Sequence, residues 1–166
     1  EIQKQIEGKI IEKFCVENFS QFQEKCQIGE NDSYICSLIR EDSVQEFISY
    51  TSRTNLPLMT TIKPSFFETN SFLIDKEPTL IEYASFFGSI QIMRYLKYNE
   101  VPLESSLWLY AVHSNNPEII RFLEENKVEL FDDALVESIK CHHNDISDYL
   151  NNQLNDLSHF DDKFGF

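Results

Sequence analysis

The sequence predicts an all-α fold built as a row of helical hairpins, and three observations carry that prediction. Apolar residues recur at spacings of three and four on both sides of short polar or glycine steps. Only 4 Gly and 5 Pro interrupt the 166 residues, and no Val/Thr-rich segment alternates with period two for long enough to make a sheet. The third observation is an internal repeat, the sequence signature of stacked supersecondary units. Apolar residues make up 42% of the chain, with 14 Phe and 7 Tyr, which disfavours disorder and predicts an aromatic core. A chain of this length buries roughly two-thirds of its unfolded surface and needs no covalent staple.

The first stretch, 1–27, places Ile2, Ile6, Ile10 and Phe14 four apart, with Ile11, Phe19, Phe22 and Cys26 extending the stripe. One long amphipathic helix or two shorter ones are expected, so residues 1–32 are read as an N-terminal cap for a repeat array over 33–154, since such arrays need a terminal unit with a polar outer face. Self-association through the same stripe is the alternative.

The first hairpin runs from Ser33 to Ile48, with Ser43 and Glu46 at capping-box spacing. An insert over 51–78 then lacks a clear period. It holds Pro57, Pro64, Phe66-Phe67 and Phe72-Leu73-Ile74. A structureless loop of that length is uncommon in a compact domain, so a short helix near Ser65 to Thr69 with packed Phe residues is expected. A partner-binding lid is the other reading.

Three further copies follow. Thr79 to Leu96 aligns without a gap on Ser106 to Leu123: Ala84 to Ala111 and Leu96 to Leu123 are both steps of 27. Ala134 to Leu150 is the third, its last Leu again 27 beyond Leu123, read with one residue missing from its central turn. Thr79 with Glu82 forms a second capping box, Asn116-Pro117 sets a capping Asn before a Pro at the first helical position, and Asn144 is assigned the same capping part. Trp108, at the core Leu position of its copy, is assigned to packing. The tail, 155–166, reads as the onset of another unit. That makes about four units. A helix pair this small cannot bury its apolar face alone, so neighbours must stack into a solenoid.

The segment from Thr79 to Leu96 resembles the ankyrin repeat: Thr79, Ile81, Ala84, Gly88, Ile92 and Leu96 fall on that pattern's Thr, Leu, Ala, Gly, Ile and Leu. The pattern's Pro and His have no counterpart, and the step of 27 is shorter than the usual length of about 33. The missing residues fall between units, at Asn99 to Leu103 and Asn126 to Leu130. The whole chain is similar to a protist-type branch of ankyrin-like domains, with the Phe/Ile-rich insert ahead of Pro78-Thr79-Leu80.

What the resemblance implies is a protein-interaction scaffold without chemistry, presenting a concave face made of the first helix of each unit and the loop before it. Tyr83, Tyr110 and Ser138, and one turn on Phe86, His113 and Cys141, would point that way. Large aromatics carry interface energy well, which singles out Tyr83, Phe86 and Tyr110. His113 and the loop residues Val101, Leu103, Glu104, Glu129, Phe131 and Asp132 complete the expected partner-binding set. The competing reading packs the same aromatics between units.

Charge narrows the partner. Lys and Arg total 14 against 28 Asp and Glu, a net charge of −14 that repels phosphate backbones and anionic membranes. Nucleic acid and membrane are therefore not expected as partners; a basic protein surface would be steered in fastest, although an acidic surface more often serves solubility alone. The four cysteines, Cys15, Cys26, Cys36 and Cys141, show no paired spacing and read as reduced, buried thiols of a cytoplasmic protein. A monomer is expected, with a dimer as the alternative. No apolar run approaches ~20 residues. The chain opens at Glu1 instead of Met, as an excised segment of a longer protein would.

No catalytic or cofactor motif is found: no phosphate-cradling Gly loop, no nucleophile elbow and no calcium loop. Cys141-His142-His143 invites a metal or nucleophile reading, but neighbours on a helix point about 100° apart and cannot converge on one ion without help from elsewhere. A Cys/His hydrolase would need partners that meet only in three dimensions. The expectation is a non-enzymatic chain with no metal and no cofactor.

Overall fold

A computed structural model of the chain describes residues 19–131 and 133–163. Among them the structure is all-helical, and the only strand-like pairing is a single antiparallel bridge between Thr61 and Thr79. The chain divides into two compact units, one joining the residues up to Tyr34 with Lys63–Glu77, the other joining Ile35–Ile62 with Pro78 onward. This division differs from the expected 1–32 and 33–154, because half of the insert belongs with the N-terminal segment.

In the smaller unit, helix α1 covers 19–28 and ends at Gly29, whose φ of +68° glycine adopts without strain. A Cβ there would lie 2.7 Å from Thr69 Oγ1. The Gly29 carbonyl accepts from both Thr69 N–H and its hydroxyl, at 3.0 and 2.8 Å. Asn31 Nδ2 donates to the Lys63 carbonyl, and the Asn31 N–H to Glu68 Oε2. Lys25 and Ser65 both bind the Asp32 carboxylate and hold it below the usual carboxylate range. Phe22 packs on Phe66 and Phe67. The helix expected near Ser65 to Thr69 is absent; the segment is irregular, with a single turn at Phe66-Phe67. Ser65 Oγ takes the Phe67 N–H and Gly29 takes that of Thr69, so the donors a helix would use are spent locally and across the unit. The expected stripe from Ile2 to Phe14 lies outside the described residues.

The larger unit is a succession of hairpins: α2 (Tyr34–Arg40) with α3 (Val44–Thr54), α4 (Leu80–Phe87) with α5 (Ile90–Tyr98), α6 (Leu107–Ser114) with α7 (Pro117–Glu125), and α8 (Asp133–Lys140) with α9 (Asn144–Lys163). First helices pack on first helices, α4 on α6 and α6 on α8, while α3 meets α5. Ala84 and Ala111 are fully buried, small enough for α4 and α6 to approach closely. Around them Leu80, Ile92, Met93, Leu96, Leu107, Ile119, Leu123 and Leu150 are buried, each stabilising the fold by roughly 1.5–3 kcal/mol before entropy is counted.

The hairpin turns carry the repeat in their backbone. Asp42, Gly88, Asn115 and His142 all have positive φ, and the last three are 27 apart. Glu100 and Lys127, just past α5 and α7, form a second such pair, also 27 apart. The third copy therefore lacks no residue: its turn is His142, in step with Gly88 and Asn115. Asn144, expected to cap, is instead the first residue of α9, and the capping position falls on His143. The Thr79–Glu82 capping box is present, each residue accepting the other's backbone N–H, and Asn116 Oδ1 accepts from Glu118 N–H behind Pro117. The box expected at Ser43 and Glu46 does not form. Ser43 sits at φ −78°, ψ 69°, short of the extended conformation a capping residue adopts, and its hydroxyl turns to Glu41. Trp108 is buried, as its core position required, with Nε1 donating to the Val128 carbonyl.

Hydrogen bonds tie one hairpin to the next. Asp42 accepts the Gln91 and Ile92 N–H groups at the start of α5, Ser89 Oγ donates to the Ile39 carbonyl, and Asn116 Nδ2 donates to the Gly88 carbonyl. Ser106 Oγ donates to Glu82 Oε1, and Ser85 Oγ to the Leu107 carbonyl.

Candidate functional site

The aromatic anchors expected to face a partner are placed in the packing between hairpins. Tyr83 is 1% exposed, Tyr110 7% and Phe86 9%. The Tyr83 hydroxyl accepts from Arg40 Nη1 at 3.0 Å, and its ring lies 4.7 Å from that of Phe87. Burial and the nearby Glu82 carboxylate push the Tyr110 phenol up to about 12. As direct contacts for a partner these three are corrected: helices as close as α4 and α6 enclose large side chains between them. Ser138 and Val101 are buried too, while Leu103 and Phe131 are half-buried and Glu104 and Glu129 exposed. Asp132 lies outside the described residues.

His113 and Cys141 come together from α6 and from the residue after α8, and Glu137 joins them. His113 Nε2 donates to Glu137 Oε1 at 3.1 Å, and Lys140 Nζ holds the other oxygen, Oε2, at 3.0 Å. The His113 ring stacks on Phe86, centroids 5.0 Å apart, which fixes its plane. Burial pushes the Glu137 carboxyl up, but Lys140 and His113 outweigh it and hold the group below its ordinary value.

Cys141 Sγ is 3.4 Å from His113 Nδ1 and 3.8 Å from Nε2. A thiol aligned with one ring nitrogen would lie much farther from the other, so the near-equal distances put the sulfur against the ring face, a sulfur–aromatic contact. Burial, followed by the charge of Glu137, pushes the thiol up. An activated nucleophile needs the reverse, a thiolate aligned with a base and a depressed pKa. The trio is thus poorly arranged for nucleophilic attack, but it gathers an imidazole, a carboxylate and a thiol within 4.8 Å of one another.

The sequence places His113 and Cys141 in one column of the repeat, while His142 and His143 do not converge on Cys141; the residue the sequence did not single out is Glu137, one helical turn before Cys141. The signal available was the i, i+4 spacing of Glu137 and Cys141 on a helix face, together with the repeat step that stacks α6 against α8.

A second concavity lies between α7 and α9, a cavity of about 290 Å³ lined by Pro117, Ile120, Ile146 and Tyr149 and rimmed by Arg121, Glu124 and Asp145. Partial burial raises the Glu124 carboxyl. Among the described residues no helix is long and apolar enough to cross a membrane. No family model, no curated protein and no solved structure matches the chain.

Proposed function

We propose that the chain is a non-enzymatic scaffold, an ankyrin-like solenoid of helical hairpins that binds a protein partner through its concave side. The supporting observation is the recurrence of acidic and apolar residues at the loops entering successive hairpins. Leu103 and Glu104 precede α6, and Glu129 and Phe131 precede α8, with half-buried apolar groups beside exposed carboxylates. With a net charge of −14, this pattern fits a partner with a basic surface carrying apolar knobs. Tyr83 and Tyr110 serve the stack from within, and His113 is largely enclosed on α6.

The test is affinity capture from the native cell with the intact chain, followed by the double variant Glu104→Lys, Glu129→Lys and by Phe131→Ala. Loss of the same partner from both variants, with helicity retained, supports the reading. Undiminished capture removes the loop site.

A second reading is self-association through the N-terminal helix. It rests on the exposure of Phe19 and Phe22 on α1, 61% and 45%, and of Phe66 in the same unit, 85%. Light scattering across protein concentrations, with and without residues 1–27, separates the two: a mass that rises with concentration only when those residues are present favours self-association.

A further inference from the structure

We propose that His113, Glu137 and Cys141 form a binding site for a divalent transition metal ion, best suited to Zn²⁺, that bridges the third and fourth hairpins. The donor set is mixed imidazole, carboxylate and thiolate, the combination Zn²⁺ takes and hard cations such as Ca²⁺ and Mg²⁺ do not.

The distances fit. Zinc bonds of about 2.0–2.3 Å arranged tetrahedrally require donor atoms about 3.3–3.6 Å apart. Here Nε2 of His113 is 3.1 Å from Glu137 Oε1 and 3.8 Å from Cys141 Sγ, and the three donor atoms all lie within 4.8 Å. Three protein ligands leave a fourth position for water or for a group from a bound partner.

The surroundings orient the ligands as a metal site requires. Glu137 and Cys141 are one helical turn apart, so both project toward the face that α6 covers, and His113 reaches them from α6. Phe86 holds the imidazole plane by stacking, and Lys140 occupies only Oε2, leaving Oε1 for the ion. Binding releases the Nε2 proton, which shifts to Nδ1 or to solvent, and the thiol proton; the thiolate swings from the ring face toward Nε2. His142, exposed at the turn, takes no part.

Such an ion would cross-link neighbouring hairpins, raising the stability of the C-terminal end of the array by linkage. A site with this geometry is a staple first, with one coordination position left open. It depends on the His113–Glu137–Cys141 geometry alone and not on the partner proposed above.

The test uses the full chain freed of metal by chelation, titrated with Co²⁺ and with Zn²⁺. Expected are one ion per chain, a thiolate-to-cobalt charge-transfer absorption with the ligand-field intensity of a four-coordinate site, and a Zn²⁺-dependent rise in Tm. Cys141→Ser abolishes the charge-transfer band, and His113→Gln and Glu137→Gln each weaken Zn²⁺ binding by about tenfold or more. Cys15→Ser and Cys26→Ser leave band and affinity unchanged. Far-UV circular dichroism shows which variants are folded, and Glu137→Gln, the most conservative, carries the conclusion if another is not. A band that survives Cys141→Ser, the same Zn²⁺ affinity in Glu137→Gln as in the native chain, or no binding at all overturns the proposal.

Discussion

The carboxylate of Asp42 caps helix α5 at Ile92, fifty residues away, with Oδ1 at 2.9 Å from the Ile92 N–H and Oδ2 at 3.0 Å from that of Gln91. The capping group for one hairpin thus comes from the turn of the hairpin before it, and the free amides of α5 become part of the contact between units. Asp42 itself sits at φ +48°, a conformation Asp and Asn tolerate better than other side chains. Replacing it with Ala removes the cap and adds backbone strain. Asp42→Ala is expected to lower unfolding stability by about 1–2 kcal/mol and Asp42→Asn by less, read from urea midpoints at unchanged m-value. Equal, negligible losses would show that the cap is not used.

Gly88 is the same turn in the next hairpin, at φ +75°, and there a Cβ would stand 3.1 Å from Asn116 Nδ2, the group that donates to the Gly88 carbonyl. Gly88→Ala therefore costs both left-handed strain and displacement of that bond, about 1–2 kcal/mol in the same denaturation experiment. Asn115→Gly, at the equivalent turn one repeat on with φ +48°, is expected to be near neutral. A loss at Asn115 as large as that at Gly88 would contradict this.

Tyr110 links the core to pH. Its phenol is raised from 10.0 to about 12 in the folded chain, so the neutral form is the one the fold favours. The stability it contributes is whole below pH 10 and is lost as pH climbs toward 12, since the unfolded chain gives up its proton first. Thermal unfolding across that window should fall more steeply for the native chain than for Tyr110→Phe. Parallel curves would mean that the hydroxyl is solvated in the fold.

The repeat was legible where small or turn-forming residues recur: Ala84 with Ala111, and Gly88 with Asn115. It slipped by one residue in the last copy because Ser138 stands where the others have Ala, and because His142 gives no chemical hint that it will take a left-handed backbone. Burial of Tyr83, Phe86 and Tyr110 was not readable, since an aromatic at helical spacing looks the same whether it meets a neighbouring hairpin or solvent. The joining of 63–77 to α1 rests on pairs such as Gly29 with Thr69 and Asn31 with Glu68, forty and thirty-seven residues apart, for which local pattern carries no signal. Of the His113, Glu137 and Cys141 cluster, the shared repeat column of His113 and Cys141 was legible, but Glu137 was not singled out. Glu137 lies one turn before Cys141, and only the stacking of α6 on α8 brings it to His113.

The stacking itself is tested most directly by excising one step of it. Removing residues 101–127 joins Glu100 to Val128, which follows the equivalent left-handed residue Lys127, so each remaining hairpin keeps a proper neighbour. Removing 101–121 instead breaks the step. If hairpins contact only their neighbours, urea unfolding followed by circular dichroism should show a cooperative transition for the first deletion, at a lower midpoint and with a smaller m-value, and none for the second. Loss of cooperative unfolding in both would contradict a repeating stack.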